Sequence, residues 1–409
     1  MEKRKILFIL PSLTRGGQER AALRIADMLG DMFIAVFASL HIQKNEYDCP
    51  YPRYDIALFR DDLSSFYPLK AFQILAAFIK AKRKLRRFVK EGDFLFSMSF
   101  GWMANCMNIL SRRKNKTIIS IRNSDDLYFS KRFIVLLRSF YKKADTTICL
   151  SEGIRHEMPH AYRLPKEKFT AMYNPFDVEK IRGAAKEKPS FLFSSPTIVA
   201  IGRLSLQKGF DILLHVFQKV TEALPGTQLV LIGGGREEAK LRALANDLGV
   251  GDFVTFCGVQ ANPFPLIAQC DVCVCSSYYE GLSNVIIESM ICGLPVVSVD
   301  CKYGPREILA PNSDILSEAR GIEYAEYGVL TPRVYADKGI NEQHEAIDCF
   351  SQAIIKMLTD EKLAEHYRKQ SGKRASDFGE ESIKMKFFEI LSALQADSGL
   401  SSDDLFSYK

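Results

Sequence analysis

The sequence has no run of about 18 consecutive apolar residues, the length that an α-helix needs to cross a bilayer. Near the start, Ile6 to Leu10 form an apolar run that Pro11 ends, and this run is too short for the core of a secretory signal. It is instead typical of a buried β-strand. We therefore expect neither a signal peptide nor a membrane-spanning helix, and we expect a cytoplasmic protein.

Paired cysteine motifs and metal-binding clusters are also missing. The ten cysteines include Cys149 and Cys257, which lie in apolar runs as small core residues do. Cys273 and Cys275 lack the spacing of a zinc knuckle, no pair of histidines accompanies them, and no Asp-x-Asp pair occurs. The sequence therefore predicts reduced thiols, no metal ion and no cofactor.

The charge is unevenly distributed. The net charge is +6, but residues 1–184 hold 33 Lys and Arg against 19 Asp and Glu, so they carry +14 and the remainder −8. The segment 69–91, predicted to be an amphipathic helix, holds eight of these cations. Such a helix is typical of contact with an anionic membrane, but also of a solvated face over an ordinary core, and both interpretations stay open.

Strand-like apolar segments alternate with helical segments throughout the chain. Strands are predicted at 5–10, 33–39, 93–98, 117–121, 146–150, 197–201, 228–232, 254–257, 272–276 and 295–298. This alternation indicates the α/β class, with two Rossmann-like doubly wound domains in series. We expect the first at 1–184 and the second at 190–375, joined by the charged, apolar-poor segment 179–189.

Three segments of the second half contain residue types that suit a nucleotide diphosphate. Arg203 and Lys208 follow the strand at 197–201, where a guanidinium fork and an ammonium beside a helix start suit a diphosphate, although two solvated surface cations are the alternative. Gly233 to Gly235 follow the next strand and resemble the start of a dinucleotide fingerprint. Glu238 occupies the place of its third glycine, which disfavours nicotinamide binding.

The third segment contains two carboxylates eight positions apart, Glu280 and Glu288. Between them, Gly281 to Ser283 could offer backbone N–H groups at a helix start, which is a favourable position for an anion. One carboxylate can then meet a sugar while the other meets ribose hydroxyls. The alternative is a charge at a helix start followed by an ordinary helix carboxylate.

Taken together, these motifs resemble the family-four retaining glycosyltransferases of GT-B fold. The resemblance rests on Gly16-Gly17-Gln18-Glu19-Arg20, on the Gly-Arg-Leu…Lys-Gly loop at 202–209, on Glu280-x7-Glu288 and on Gly293 to Val297, in this order along nearly the whole chain. It implies two domains that face each other across a cleft, an acceptor-binding one first and a donor-binding one second. It also implies that the C-terminal helix at 376–409 crosses back to the first domain.

The resemblance further implies a role for each motif. Arg203 and Lys208 would hold the donor diphosphate and neutralise the leaving nucleoside diphosphate, while Glu280 would contact the donor sugar. The remaining donor-binding residues would be Glu288 at the ribose, Gly281, Leu282, Ser283, Gly258, Val259, Gln260, Gly16 and Gly17. Retention would proceed by same-face substitution without a dedicated nucleophile. Many relatives have a Glu-His or Glu-Arg pair before Asn where this chain has Ile121, Arg122 and Asn123, so Arg122 and Asn123 are predicted to contact the acceptor or the sugar.

The function expected from this resemblance is transfer of a sugar to a glycan or lipid-linked acceptor in polysaccharide, lipopolysaccharide or O-antigen synthesis. The stretch 300–309 resembles bacterial relatives, some of which use UDP-N-acetylhexosamines, and this favours UDP and an N-acetylhexosamine. One alternative is another nucleotide-sugar enzyme of the same fold, such as an epimerase. A non-enzymatic nucleic-acid-binding protein is disfavoured because no aromatic side chains interleave with the basic run as stacking platforms.

Overall fold

The computed structural model describes residues 3–13, 16–41, 49–56, 67–122, 130–193 and 196–396. The chain forms two compact units. One contains the chain up to Pro175 together with the chain from Glu380 onward, and the other is Phe176–Gly379. Each unit has a seven-stranded sheet within its described residues, which confirms the prediction of two doubly wound α/β domains. No helix of the described residues is both long and apolar enough to cross a membrane.

The first unit alternates strands and helices from its start. Its elements are β1 (Arg4–Leu10), α1 (Gly17–Met28), β2 (Phe33–Ser39), β3 (Arg53–Asp55), α2 (Tyr67–Glu91), β4 (Phe94–Phe100), α3 (Trp102–Ser111), β5 (Lys116–Ile121), α4 (Lys131–Tyr141), β6 (Thr146–Cys149), α5 (Glu152–Tyr162) and β7 (Phe169–Ala171). The sheet has the order β3-β2-β1-β4-β5-β6-β7 with all pairs parallel. The strand order reverses between β1 and β4, which is where ligands bind in sheets of this kind.

Helices cover both faces of this sheet, and this is why its strands are apolar on both sides. On one face, Phe8 of β1 stacks on Phe37 and Phe100, with ring centroids 5.1 and 6.4 Å apart. The other face packs against α2 and α3, where Leu85 and Met107 are fully buried.

The second unit repeats the pattern. Its elements are α6 (Val178–Ala184), β8 (Thr197–Ile201), α7 (Phe210–Ala223), β9 (Gln228–Ile232), α8 (Glu238–Asp247), β10 (Val254–Gly258), α9 (Phe264–Ile267), β11 (Val272–Cys275), α10 (Asn284–Ile291), β12 (Val296–Val299), α11 (Pro305–Leu309), β13 (Glu323–Tyr324), β14 (Val329–Thr331), α12 (His344–Thr359) and α13 (Glu361–Ala375). The sheet order is β10-β9-β8-β11-β12-β14-β13, and β13 runs antiparallel to β14. The carboxyl ends of β8, β9, β10, β11 and β12 therefore lie along one edge.

The last described helix, α14 (Glu380–Ala396), belongs to the first unit, as the resemblance implied. Its apolar residues Ile383, Phe387, Leu391 and Leu394 are buried in the core that contains β1 and α1. Lys384 on the same helix pairs with Asp31, with Nζ and Oδ2 2.6 Å apart. Packing of this apolar stripe fixes the helix to a sheet that begins almost four hundred residues earlier in the chain.

The unit boundaries differ from the predicted ones. The structure divides the chain between Pro175 and Phe176, before α6, whereas the sequence suggested a linker at 179–189. The prediction was wrong because Asp177 caps α6, accepting from the N–H of Lys180 at 2.9 Å, and the buried Ile181 anchors this charged helix.

Candidate functional site

The loops that follow β8, β9 and β10 are held together by their backbones. The N–H of Leu204 donates to Gly234 O at 3.0 Å, and the N–H of Gly233 donates to Gly258 O at 2.9 Å. A Cβ atom at Gly233 would lie 1.9 Å from Gly202 O, a distance that no side chain tolerates. The close approach that the glycine run permits is therefore to the neighbouring loop of the protein.

A buried ion pair joins the two most charged motifs. Nζ of Lys208 lies 2.5 Å from Oε1 of Glu280, and the side chains are 16% and 8% exposed. The hydroxyl of Ser277 donates to the same carboxylate oxygen at 2.7 Å. The structure thus brings together two of the three predicted catalytic residues, although they are 72 positions apart in the sequence.

The charge of Lys208 is set by this carboxylate. Burial by itself lowers the pKa of Lys208, but the nearby charge of Glu280, the thiol of Cys275 and the hydrogen bond to Glu280 outweigh it, so the pKa is raised above 10.5. Lys208 is consequently an ammonium ion over the whole physiological range of pH.

The two loops that carry this pair are fixed to each other. The side-chain amide of Gln207 donates to Tyr279 O at 3.0 Å, and the hydroxyl of Ser276 donates to Lys208 O at 2.9 Å. Gly209 has a φ of 59°, and a Cβ atom there would lie 2.2 Å from Ser276 O. Glycine is therefore required at 209 for the loop containing Lys208 to pack against the loop containing Glu280.

Arg203, the third predicted catalytic residue, has a different environment. It is exposed, and it forms no ion pair with any other residue that the structure describes. Of the two predicted diphosphate-binding cations, Lys208 has an anionic partner among the described residues and Arg203 has none.

Most residues of the segment from Glu280 to Glu288 are buried. Glu280 is 6% exposed and Glu288, which lies in α10, is 4% exposed. Ser283 has a φ of 61°, unusual for a residue with a side chain, and its hydroxyl lies 3.5 Å from the sulfur of Cys275. In the described structure, the backbone N–H groups of Gly281, Leu282 and Ser283 donate to no protein acceptor. Buried N–H groups of this kind at a helix start favour an anionic ligand.

The predicted base-binding segment lies at the end of β10. Gly258 has a φ of 65°, Val259 is 72% exposed, and the amide of Gln260 donates to Cys257 O at 2.5 Å. A tight turn therefore keeps the side chain of Gln260 against the end of β10, while the side chain of Val259 projects into solvent.

In the first unit, Gly16 and Gly17, which are predicted to bind the donor, lie at the start of α1. Gly16 is the N-cap residue without a side-chain cap, and a Cβ atom there would lie 2.3 Å from Oε2 of Glu19. A Cβ atom at Gly17 would meet nothing within 4 Å, so Gly17 faces open space.

Arg122 directly follows β5 and is only 5% exposed. One guanidinium nitrogen donates to the side-chain oxygen of Asn174, and Nη1 is buried without a hydrogen-bond partner. Burial lowers the pKa of Arg122 to about 9. Asn123, the other predicted acceptor or sugar contact, lies outside the described residues.

Sequence reasoning missed two features of the second unit. Ser277 hydrogen-bonds Glu280, but no motif marks this serine. Arg306 lies between two carboxylates, with Nη2 2.5 Å from Asp300 Oδ2 and 2.7 Å from Glu323 Oε2. Neither carboxylate belongs to a predicted site, and burial of Arg306 with its partners could not be inferred from spacing alone.

No group of three or more His, Cys, Asp or Glu within the described ranges is arranged to hold a metal ion. Independence from metal ions stays a prediction.

Comparison with known proteins identifies the family. The model of glycosyltransferase family 4 matches residues 15–180, and the model of glycosyl transferases group 1 matches residues 195–326. An uncharacterized glycosyltransferase of Methanocaldococcus jannaschii is 34% identical over 289 residues, which are 66% of this chain and 70% of the relative. The N-acetylgalactosamine-N,N'-diacetylbacillosaminyl-diphospho-undecaprenol 4-alpha-N-acetylgalactosaminyltransferase of Campylobacter jejuni is 25% identical over 91% of this chain and 95% of its own.

Solved structures show the same fold. Anabaena HepE in complex with UDP superimposes with a TM-score of 0.70 at 19% identity, covering 95% of this chain and all of HepE. Sucrose-phosphate synthase from Thermosynechococcus elongatus gives a TM-score of 0.71 at 17% identity, covering 96% of this chain and all of the synthase. The chain is therefore a glycosyltransferase that belongs to family four, glycosyl transferases group 1, and has the GT-B fold.

Proposed function

We propose that this enzyme transfers a sugar from a UDP-sugar to a glycan or lipid-linked acceptor of a surface polysaccharide, with retention of configuration and without a metal ion. The observation that carries the proposal is the Lys208–Glu280 ion pair beside the unbonded N–H groups of Gly281 to Ser283. Fixed cations and N–H dipoles of this kind stabilise the negative charge that grows on a departing diphosphate.

In the proposed reaction, Lys208 and Arg203 bind the diphosphate and Glu280 binds the donor sugar. The bond between C1 of the sugar and the phosphate oxygen breaks through an oxocarbenium-like state. The acceptor oxygen forms the new bond to C1 on the same face, and its proton passes to the departing phosphate. Glu288 binds the ribose, and the turn at Gly258 to Gln260 binds the base.

The relatives support the choice of nucleotide and sugar. HepE was crystallised with UDP and with UDP-glucose, and the Campylobacter relative is named as an N-acetylgalactosaminyltransferase that acts on a diphospho-undecaprenol-linked acceptor. Another relative, of Erwinia amylovora, is named as an amylovoran biosynthesis glycosyltransferase and is 23% identical over 95% of this chain and 99% of its own. We accordingly propose UDP-N-acetylhexosamines as the first donors to test.

A donor panel tests this proposal. Thermal-shift titrations with UDP, GDP, ADP and their sugars should show stabilisation by UDP and by a UDP-sugar. Glu288→Gln should weaken the binding of UDP itself, whereas Glu280→Gln should weaken the binding of the UDP-sugar and leave that of UDP nearly unchanged. Equal effects of both variants on UDP would contradict the assigned roles.

The reaction itself is tested with the best donor of the panel and a lipid-linked acceptor. We expect an α-linked product from an α-linked donor, identified from its anomeric proton by NMR. Formation of an epimer of the donor without transfer would instead support the epimerase alternative. An inverted product would contradict same-face substitution.

Cytoplasmic location with peripheral contact of the first unit with an anionic membrane is also part of the proposal. On α2, Lys80, Arg83, Arg86 and Lys90 are exposed, whereas Lys84 donates to Asp55 O at 2.6 Å. Two helices further along the chain, the α4 residues Val135 and Leu136 are 61% and 50% exposed. The helices α2 and α4 both pack against α3. Cations and apolar side chains on two helices of one unit suit the surface of an anionic bilayer.

Co-sedimentation with liposomes tests this contact. Changing Lys80, Arg83, Arg86 and Lys90 to Glu should abolish pelleting with anionic vesicles. A control variant makes the same charge change in the second unit, at Arg236, Lys240, Lys356 and Lys369, which are 82%, 79%, 52% and 70% exposed. Equal pelleting of the two variants, or pelleting that does not depend on lipid charge or salt, would contradict a basic docking surface.

A further inference from the structure

Arg122 differs from the other buried arginines of this chain. In the described ranges, three arginines are buried, namely Arg122, Arg306 and Arg374. Arg306 has two carboxylate partners, and Arg374 pairs with Asp377 at 2.7 Å and donates to two backbone carbonyl oxygens. Among the described residues, Arg122 has neither a carboxylate nor a backbone carbonyl partner; it has the side-chain amide oxygen of Asn174 and the face of one aromatic ring.

Such an environment is costly for a guanidinium group. A buried charge needs a counter-charge or a full set of hydrogen-bond acceptors, and Nη1 of Arg122 has no acceptor in the described part of the chain. Loss of a proton does not readily remove this free-energy cost, because the pKa of arginine in water lies far above neutrality. An anion bound to Arg122 would provide the counter-charge and the hydrogen-bond acceptor that the described residues do not provide.

The position of Arg122 fits a binding site better than a structural role. It follows β5 at the carboxyl edge of the first sheet, and its Cζ lies 5.5 Å from the ring centroid of Phe100, the last residue of β4. The order of strands reverses beside β4, so this is the edge at which ligands bind in doubly wound sheets. Asn174, beyond β7 at the same edge, holds the guanidinium from the other side.

We infer that Arg122, oriented by Asn174, forms an oxyanion site in the first unit that binds a phosphate group of a substrate. A guanidinium fork recognises phosphate oxygens with more geometric specificity than an ammonium does. The inference rests on the proposed function for the source of the phosphate, which is either the diphosphate of a lipid-linked acceptor or that of the nucleotide sugar. Binding of inorganic pyrophosphate tests the site without any sugar transfer.

The chain has a built-in reporter for this site. Trp102 is its one tryptophan, and it begins α3 two residues after Phe100, whose ring lies beside the guanidinium. Titration of the full chain with pyrophosphate, at constant ionic strength held by NaCl, should change the fluorescence of Trp102 saturably. Farnesyl diphosphate and UDP then serve as competitors: displacement by the first indicates an acceptor phosphate, and displacement by the second indicates the donor.

Arg122→Gln should weaken pyrophosphate binding by about tenfold or more, because a charge-assisted hydrogen bond is lost. Its melting temperature should stay equal or rise, since an unpaired buried charge is removed. The matched control is Arg368→Gln, the same change at a partly exposed arginine of α13 in the second unit, which should leave the Trp102 response unchanged. If Arg122→Gln does not fold, Arg122→Lys replaces it and should bind several-fold more weakly, because it keeps the charge but loses the fork.

Three results would overturn the inference: no saturable response in the wild-type protein, equal affinity in the Arg122 variant, or an equal loss of response in Arg368→Gln. A failure of sugar transfer with an intact Trp102 response would count against the proposed function only.

Discussion

Replacing Lys208 by Met should separate catalysis from stability at the candidate site. Methionine keeps most of the length of the lysine stem and removes the ammonium group that lies 2.5 Å from Glu280. If Lys208 stabilises the departing diphosphate, kcat/KM should fall by about 10²-fold, or about 3 kcal/mol of transition-state stabilisation.

The same change also leaves the carboxylate of Glu280, 6% exposed, without its cation. Breaking a buried ion pair on one side costs about 3–5 kcal/mol. Because Ser277 still donates to Glu280 and Lys208 is 16% exposed, we expect a loss at or just below the bottom of this range, about 2–3 kcal/mol. In the double variant Lys208→Met/Glu280→Gln no buried charge is left over, so stability should recover by about 1–2 kcal/mol.

Activity should not recover in the double variant. The test is therefore whether stability recovers while activity does not. The free energy of unfolding is measured by urea denaturation, and kcat/KM by transfer from the best donor of the panel. A single variant with kcat/KM within about threefold of the wild type would remove Lys208 from the reaction. If stability and activity recovered together in the double variant, the role of Lys208 would be limited to neutralising the carboxylate of Glu280.

Three further predictions concern the second unit and the chemistry. The stability difference between wild type and Lys208→Met should be full below pH 10.5 and shrink as pH rises through the still higher folded-state pKa of Lys208; a constant difference in alkaline urea melts would refute the raised pKa. Gly233→Ala should lower the melting temperature strongly, because its Cβ would lie 1.9 Å from Gly202 O, whereas Gly183→Ala, with nothing within 4 Å, is the control that should not. Transfer should persist in EDTA, and loss of activity that Mg²⁺ or Mn²⁺ restores would contradict metal independence.

The strands of both sheets were predictable from the sequence because they are buried on both faces. The segments at 33–39, 197–201 and 228–232 read as continuous apolar runs, and the structure places strands at these same residues. The predicted unit boundary failed because α6 is charged and short, and the anchoring of such a helix by Ile181 depends on tertiary packing, which composition does not reveal.

Motif order identified the family, and local spacing placed Arg203, Lys208, Glu280 and Glu288 after the expected strands. The sequence alone therefore determined the fold class, the glycosyltransferase family and the candidate residues, because these follow from short-range pattern. Only the tertiary structure decided which of them are partners: Lys208 pairs with Glu280 while Arg203 is exposed, and Arg122 is buried with an unsatisfied nitrogen. Burial and pairing join residues far apart in the chain, and such contacts arise only when neighbouring parallel strands bring their carboxyl ends to one edge.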